Sequence, residues 1–245
     1  MLDRKGLEKY GPPGFHISQK EKDYVQHWAL SFLSQSGFGG IFKGGTCLQK
    51  AFSLPRYSED LDFCLAGAGE PDMERLSAFL SSAGFSGVSH KREEIAPLVS
   101  VKLRLRGPLY NGTPISECSV LLEFGRKDEP LLPPRPLTIT PPYPDMLPYQ
   151  LRVMHLSELA AEKARAIMRR LSARDLFDLY FIFRQGATGV PELAKRKMQA
   201  GEFSYQLFRS RVKRMKGIWK DEISALTQSA LSYNEAEKLV LEKMR

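Results

Sequence analysis

The sequence predicts an α/β chain of α+β type, in which a mixed-sheet domain is followed by an all-α bundle. Three observations carry that reading. Before residue 130, glycine-bounded and alternating apolar runs are interspersed with helical patterns. After residue 156 only helical periodicity remains. Between them, residues 129–150 hold eight of the sixteen prolines in the chain. Proline lacks an amide donor and turns the residue before it away from helix, so this stretch reads as extended connector. The expected division is residues 1–148, with 130–148 as the proline-rich connector, and residues 149–245.

Each element has its own local reason. Ser18 followed by Glu21 is a capping-box pattern opening a helix to about Leu33. FGGIFK (38–43) is an apolar run held between glycines, which predicts a buried strand, and CLQKAF after Gly44-Gly45-Thr46 has helical spacing. SEDLDFCL (58–65) reads as a second strand, and Pro71 starts a helix to about Ser82. In 99–106, Val99, Val101, Leu103 and Leu105 alternate with Ser100, Lys102, Arg104 and Arg106, the pattern of a half-buried strand. A turn-rich GPLYNGTP leads to its partner at 118–125. Helices are expected over 157–170, 172–184, 191–199, 203–218, 221–231 and 234–243.

Composition narrows the class. The chain has 245 residues, 42% hydrophobic and 10% aromatic, enough for a sizeable core and against disorder as the dominant state. No run of about 18 apolar residues occurs, which excludes a membrane-spanning helix. The opening MLDRKGLEKYGPPGF lacks the apolar stretch of a secretory signal, so a cytoplasmic protein with no membrane partner is expected. Cys47, Cys64 and Cys118 form no CxxC pair and read as core residues, and the four histidines are scattered. Charge is uneven. Residues 1–150 hold 17 basic and 17 acidic side chains, whereas residues 151–245 hold 19 and 11, so the second part carries the whole net charge of +8. A basic second part points to an anionic partner, such as nucleic acid, nucleotide phosphates or a membrane surface.

The chemistry concentrates in Phe42-Lys43-Gly44-Gly45-Thr46 and Asp60-Leu61-Asp62-Phe63. Two glycines at a strand-to-helix turn let backbone approach a ligand, and the helix N-terminus beyond them suits phosphate. Thr46 adds a hydroxyl for the same oxygens. Asp60 and Asp62, two apart on a strand, share a face and repel each other unless a hard dication such as Mg2+ lies between them. Glu123, set among apolar neighbours on a later strand, is the candidate third ligand. A phosphate cradle opposite a carboxylate pair is what metal-assisted phosphoryl or nucleotidyl transfer requires. Taken singly, a Gly-Gly-Thr turn, a solvated strand-end DxD and an edge glutamate are all ordinary, and it is their order that is informative. Walker A and Rossmann glycine motifs are absent.

This ordered set resembles the DNA polymerase β-like nucleotidyltransferase superfamily. More narrowly, KGGTCLQKAFSLPRYSEDLDF resembles the AbiEii/AbiGii toxin family, through Gly44, Gly45, Thr46 and Leu48 and then Arg56, Ser58, Asp60 and Asp62. EKARAIMRR (162–170) and RDLFDL (174–179) resemble that family's lysine motif and its R-D-x-x-D-L motif. The resemblance spans about residues 18 to 184. Glu123 stands where the superfamily commonly has aspartate.

The resemblance implies Asp60, Asp62 and Glu123 around Mg2+ or Mn2+. Gly44, Gly45, Thr46, Arg56, Ser58, Lys163 and Arg174 would then sit against an NTP, with Lys163 on the triphosphate and Asp178 orienting it or the acceptor. On one continuous helix, Lys163, Arg170, Arg174 and Asp178 fall within an arc of about 80°, with Asp175 outside it. Ser172-x-x-Asp175 is also a cap signature, and a break there would leave the lysine and Asp178 to meet by tertiary folding.

Residues 209–220 hold six basic side chains and no acid. Arg209, Arg211, Lys213, Arg214 and Lys216 fit an RNA backbone, with Trp219 or Tyr205 for stacking. The alternative is a solvated face beside an apolar stripe (Phe208, Val212, Met215, Trp219). The implied function is an AbiEii-like toxin that transfers nucleotides to an acceptor hydroxyl, with the 3′ end of tRNA as first guess. That would block translation within a toxin–antitoxin or phage-defence pair whose antitoxin is encoded nearby and need not dock on the toxin. The competing readings are transfer to a protein or a small molecule such as an aminoglycoside, and a non-catalytic RNA-binding protein on the same scaffold.

Overall fold

In the structure, a computed structural model that describes residues 1–127, 129–198 and 201–245, the apolar runs of the first part become strands of one sheet. The strands are β1 (Ile41–Lys43), β2 (Leu61–Cys64), β3 (Ser86–Ile95), β4 (Leu98–Arg106), β5 (Cys118–Gly125), β6 (Arg135–Ile139) and β7 (Tyr149–Val153). Their order is β3-β4-β5-β2-β1-β7-β6. The β2–β5 and β1–β7 pairs are parallel and the rest antiparallel, so the sheet is mixed. With α1 (Arg4–Tyr10), α2 (Ile17–Gln35), α3 (Gly44–Phe52) and α4 (Met73–Ser82), these strands make the first compact unit: Met1–Ser53, Tyr57–Glu129 and Pro134–Val153.

Side-chain alternation sets the two faces of the central strands. Phe42, Phe63 and Phe124 lie in register on β1, β2 and β5, and their rings stack at 5.2 and 5.6 Å between centroids. The residues one position away must point to the other face. That places the polar residues of β1, β2 and β5 together, opposite the aromatic core.

The second unit comprises Leu54–Arg56, Pro130–Pro133 and Met154–Arg245. It holds α5 (Leu156–Arg169), α6 (Ala173–Arg184), α7 (Val190–Arg196), α8 (Tyr205–Arg214), α9 (Trp219–Ser224) and α10 (Tyr233–Lys243). Its core takes Ile167, Leu176, Phe177, Phe208, Trp219 and Val240, the apolar stripes of these helices.

Several expectations are corrected. The proline-rich stretch is not connector alone, because it contains β6, and the part expected to be all-α opens with the interior strand β7. Pro136 is accommodated because β6 lies at the sheet edge, where a missing donor costs least, and β7 contains no proline. β3 has no counterpart in the sequence reading, because an edge strand exposed on both faces shows no alternation. The α2 capping box is formed by His16 and Gln19, not Ser18 and Glu21; the buried Glu21 instead accepts the Leu109 amide at 2.7 Å. The helix expected over 203–218 ends as α8 at Arg214 and passes through a 3-10 turn at Met215–Gly217, and the helix expected over 221–231 is α9, which ends at Ser224. The helix expected over 191–199 reaches residue 199, which lies outside the described residues. No described helix is long and apolar enough to cross a membrane.

Candidate active site

The β1–α3 turn is built as the glycines require. Gly44, the first residue of α3, has φ +78°, a conformation that L side chains disfavour. A Cβ placed there would overlap the carboxylate of Asp62. The glycine is therefore needed twice, for backbone conformation and for the close approach of an acid. The first turn of α3 contains no acidic side chain, so its partial positive charge is not offset from within.

Asp62 lies in a polar row that crosses four strands. Lys43 on β1, Asp62 on β2, Glu123 on β5 and Ser100 on β4 are successive register partners. The Ser100 hydroxyl donates to Glu123 Oε1 at 3.4 Å. Neighbouring strands stand about 4.8 Å apart, so the two carboxylates meet side by side on one face. Such a pair suits a hard cation with oxygen ligands, and Asp60, exposed and two residues before Asp62, lies just outside the ladder. As oxygen donors these side chains suit Mg2+ or Mn2+ in chemistry. Among the described residues, no three His, Cys, Asp or Glu side chains lie close enough together to hold a metal ion.

Thr46 differs from its expected role. It is fully buried, and its hydroxyl donates to the main-chain carbonyl of Asp60 at 2.5 Å, so it holds the acidic segment instead of facing a ligand. The Ser58 carbonyl accepts from the Gln26 side chain at 3.1 Å.

The far end of α3 is fixed by a buried polar network that sequence reading missed. Asp23 Oδ1 accepts from Lys50 at 2.8 Å and from Gln49 at 2.9 Å, and Oδ2 accepts from Tyr143 at 2.7 Å. His27 Nδ1 pairs with the Tyr149 hydroxyl at 2.7 Å. Burial pushes the His27 imidazole down to about 3, so the ring is neutral. Burial alone would raise the Asp23 carboxyl, but Lys50 and the donors around it hold it below its ordinary value. A signal was present in the acid and lysine on otherwise apolar helix faces, but only folding pairs them.

In the second unit, three basic residues converge on Asp175 and Asp178. Ser172, in extended conformation, starts α6 and separates it from α5, so the single-helix stripe does not form. Asp175 and Asp178, three apart on α6, lie on one side of that helix, and Asp175 joins the cluster it was expected to miss. Lys163 Nζ lies 3.2 Å from Asp175 and 2.7 Å from Asp178. Arg56 grips Asp178 through two bonds of 2.6 and 2.7 Å, and Arg170 grips Asp175 at 2.8 and 3.1 Å. Burial by itself raises the Asp178 carboxyl, but the Arg56 and Lys163 charges outweigh it and set the group at about 2. In turn the Asp178 and Asp175 carboxylates raise the Lys163 ammonium and the Arg56 guanidinium against burial. Arg174 is exposed, with Nε 3.5 Å from the Ser172 hydroxyl.

Along α8 and the 3-10 turn after it, Phe208, Val212 and Met215 are fully buried, and Arg209, Lys213, Arg214 and Lys216 are exposed. Arg209, Lys213 and Arg214, with Gln206 and Ser210, line an open groove of about 450 Å3. Arg211 is half-buried with its Nε turned inward. Trp219 is not available for stacking on a base, since it packs on Phe177 and Tyr233 and its indole donates to the Leu231 carbonyl at 3.4 Å.

A glycine turn at a helix start, pressed against a carboxylate whose cross-strand neighbour is a second one, is the arrangement expected of a nucleotidyltransferase from the motifs above. The family model for the nucleotidyl transferase AbiEii toxin of type IV toxin–antitoxin systems matches residues 30–242, and the chain belongs to that family. It is accordingly a nucleotidyltransferase toxin whose family context implies a cognate antitoxin. Solved structures share the fold. MenT4, a nucleotidyltransferase toxin of Mycobacterium tuberculosis H37Rv, superposes with a TM-score of 0.63 at 22% identity, over 100% of this chain and 89% of that one. A candidate nucleotidyltransferase from H. pylori gives 0.62 at 17% identity, covering 94% of both chains. JHP933 from Helicobacter pylori gives 0.59 at 18% identity, over 94% of this chain and 92% of that one. No curated protein sequence matches the chain.

Proposed function

We propose that this toxin uses Mg2+, or Mn2+ in its place, to transfer nucleotides from an NTP to a hydroxyl of RNA. The 3′ end of tRNA is the first candidate acceptor, and the consequence is arrest of translation within a toxin–antitoxin or phage-defence pair. The observation that carries this reading is the contact between Asp62 and Gly44, with Glu123 in register beside the aspartate. When bound, the metal would neutralise triphosphate charge and lower the pKa of the attacking hydroxyl.

Asp60, Asp62 and Glu123 would hold the ion. Gly44 and Gly45 would let the phosphates approach the amides at the start of α3. By its place in the lysine motif Lys163, kept cationic by Asp178, would supply positive charge for phosphate oxygens. Arg56 acts on Asp178 as a carboxylate clamp. Ser58 and Arg174 belong to the same nucleotide-binding set by their place in the motifs. The exposed cations of α8 would track the RNA backbone.

Purified protein incubated with labelled NTPs, Mg2+ and total RNA tests the reading. Label on a tRNA-sized band that disappears with chelator and with Asp60→Ala or Asp62→Ala is the expected result. Label on protein or on a small molecule would replace the RNA acceptor, and RNA retention without label would replace catalysis by binding.

A further inference from the structure

The acidic segment approaches β2 through three residues that lie outside the sheet ladder. β2 begins at Leu61, and register partners are found only from there onward. Yet the three consecutive carbonyls of Ser58, Glu59 and Asp60 each receive a side-chain donor. Gln26 Nε2 on α2 donates to Ser58 O at 3.1 Å and to Glu59 O at 2.7 Å. Thr46 Oγ1 on α3 donates to Asp60 O at 2.5 Å. Lys22, one turn before Gln26, pairs with the Glu59 side chain at 3.2 Å.

Both clamp residues are completely buried. A buried glutamine is costly unless its polar groups are satisfied, and Gln26 Oε1 has no hydrogen-bond partner. An apolar residue would fill this position more cheaply. What it could not supply is two donors aimed at adjacent carbonyls. Thr46 sits in the first turn of the helix that begins at Gly44, so its bond links the glycine turn directly to the backbone of Asp60.

We propose that Gln26 and Thr46 are positioning residues that pin residues 58–60 and so set where Asp60 and Asp62 present their carboxylates to the metal. The inference rests on the metal reading above, and assigns to Thr46 a task other than phosphate binding. Partners that orient metal ligands typically change affinity about 10- to 100-fold when removed.

The test uses the full chain and Mn2+ binding followed by EPR, together with amide exchange over residues 58–62. Gln26→Met and Thr46→Val keep volume and remove the donors; Thr46→Ser restores the hydroxyl. The expected result is Mn2+ affinity lowered about tenfold or more in Gln26→Met and Thr46→Val, with faster exchange confined to this segment. Thr46→Ser should bind close to wild type. Should Gln26→Met fail to fold, the Val/Ser comparison at position 46 decides alone. Wild-type affinity in Thr46→Val, or equal impairment in Thr46→Ser, would overturn the proposal. Asp62→Asn separates the two layers. If it binds Mn2+ as wild type does, the metal reading falls and the inference with it; if it loses Mn2+ while both donor variants keep it, only the clamp falls.

Discussion

Arg56 and Asp178, 122 residues apart in the chain, are joined by a two-pronged ion pair with Nε–Oδ1 at 2.6 Å and Nη2–Oδ2 at 2.7 Å, both side chains buried. The fork geometry matters, because a lysine presents one point charge and cannot span both oxygens. The pair also explains why Lys163 has a fixed place: the aspartate that accepts from it is itself held from the other side.

Removing one partner strands a buried charge. Arg56→Ala should destabilise the protein by about 3–5 kcal/mol in urea unfolding, and Arg56→Lys should recover only part of that. Asp178 is held at about 2, below the ordinary aspartate value near 3.9. A depressed carboxyl contributes stability that is complete above its unfolded value and is lost as pH falls through its folded one. The window is therefore about pH 4 down to 2, worth about 2.5 kcal/mol. Asp178→Asn should flatten the acid limb of the stability–pH curve in that window, and an unchanged limb would refute the assignment.

Gly44→Ala is expected to displace Asp62, because the new methyl would occupy the space of its carboxylate at a φ of +78°. Strain of this kind costs about 1–3 kcal/mol. Transfer should fall much further, about 100-fold, since misplacing a reacting group by an ångström is enough. Thermal unfolding and single-turnover transfer, measured side by side, separate the two effects.

Lys50→Met tests the network behind α3. It leaves the Asp23 carboxylate buried without its cation, at a cost of about 3–5 kcal/mol. Asp23 is held below its ordinary value, so its contribution is also lost on acidification. Without the cation, burial raises the Asp23 carboxyl, so protonating it relieves the stranded charge: the variant's deficit against wild type in urea unfolding should shrink as pH falls from about 7 to about 3. Asp23→Leu combined with Lys50→Met should be less destabilised than Lys50→Met alone.

Replacing Arg209, Lys213 and Arg214 with glutamine tests the α8 face. All three are exposed along one groove. If each meets a phosphate of single-stranded RNA, the slope of log affinity against log salt should become shallower by about 2. Folding should be unaffected, since the buried side of α8 is untouched. An unaltered slope would place the acceptor elsewhere.

The predicted strands 99–106 and 118–125 match β4 and β5 to within a residue, because one face of each is buried and alternation records that directly. Helices α5, α6 and α10 were legible for the corresponding reason at a period of 3.6. β3 was hidden by its exposure, and β7 by the prolines around it.

The sequence by itself determined the order of the chemical groups: a glycine turn, two aspartates, a later glutamate and a basic helical part. Local patterns suffice for that, since each depends on a few neighbouring residues. Tertiary structure alone decided which groups meet: Asp62 with Gly44, Asp62 beside Glu123, Thr46 with the Asp60 backbone, and Arg56 with Asp178. Register and helix direction are set by the burial of whole faces, and no short stretch of sequence contains the partner it will be pressed against.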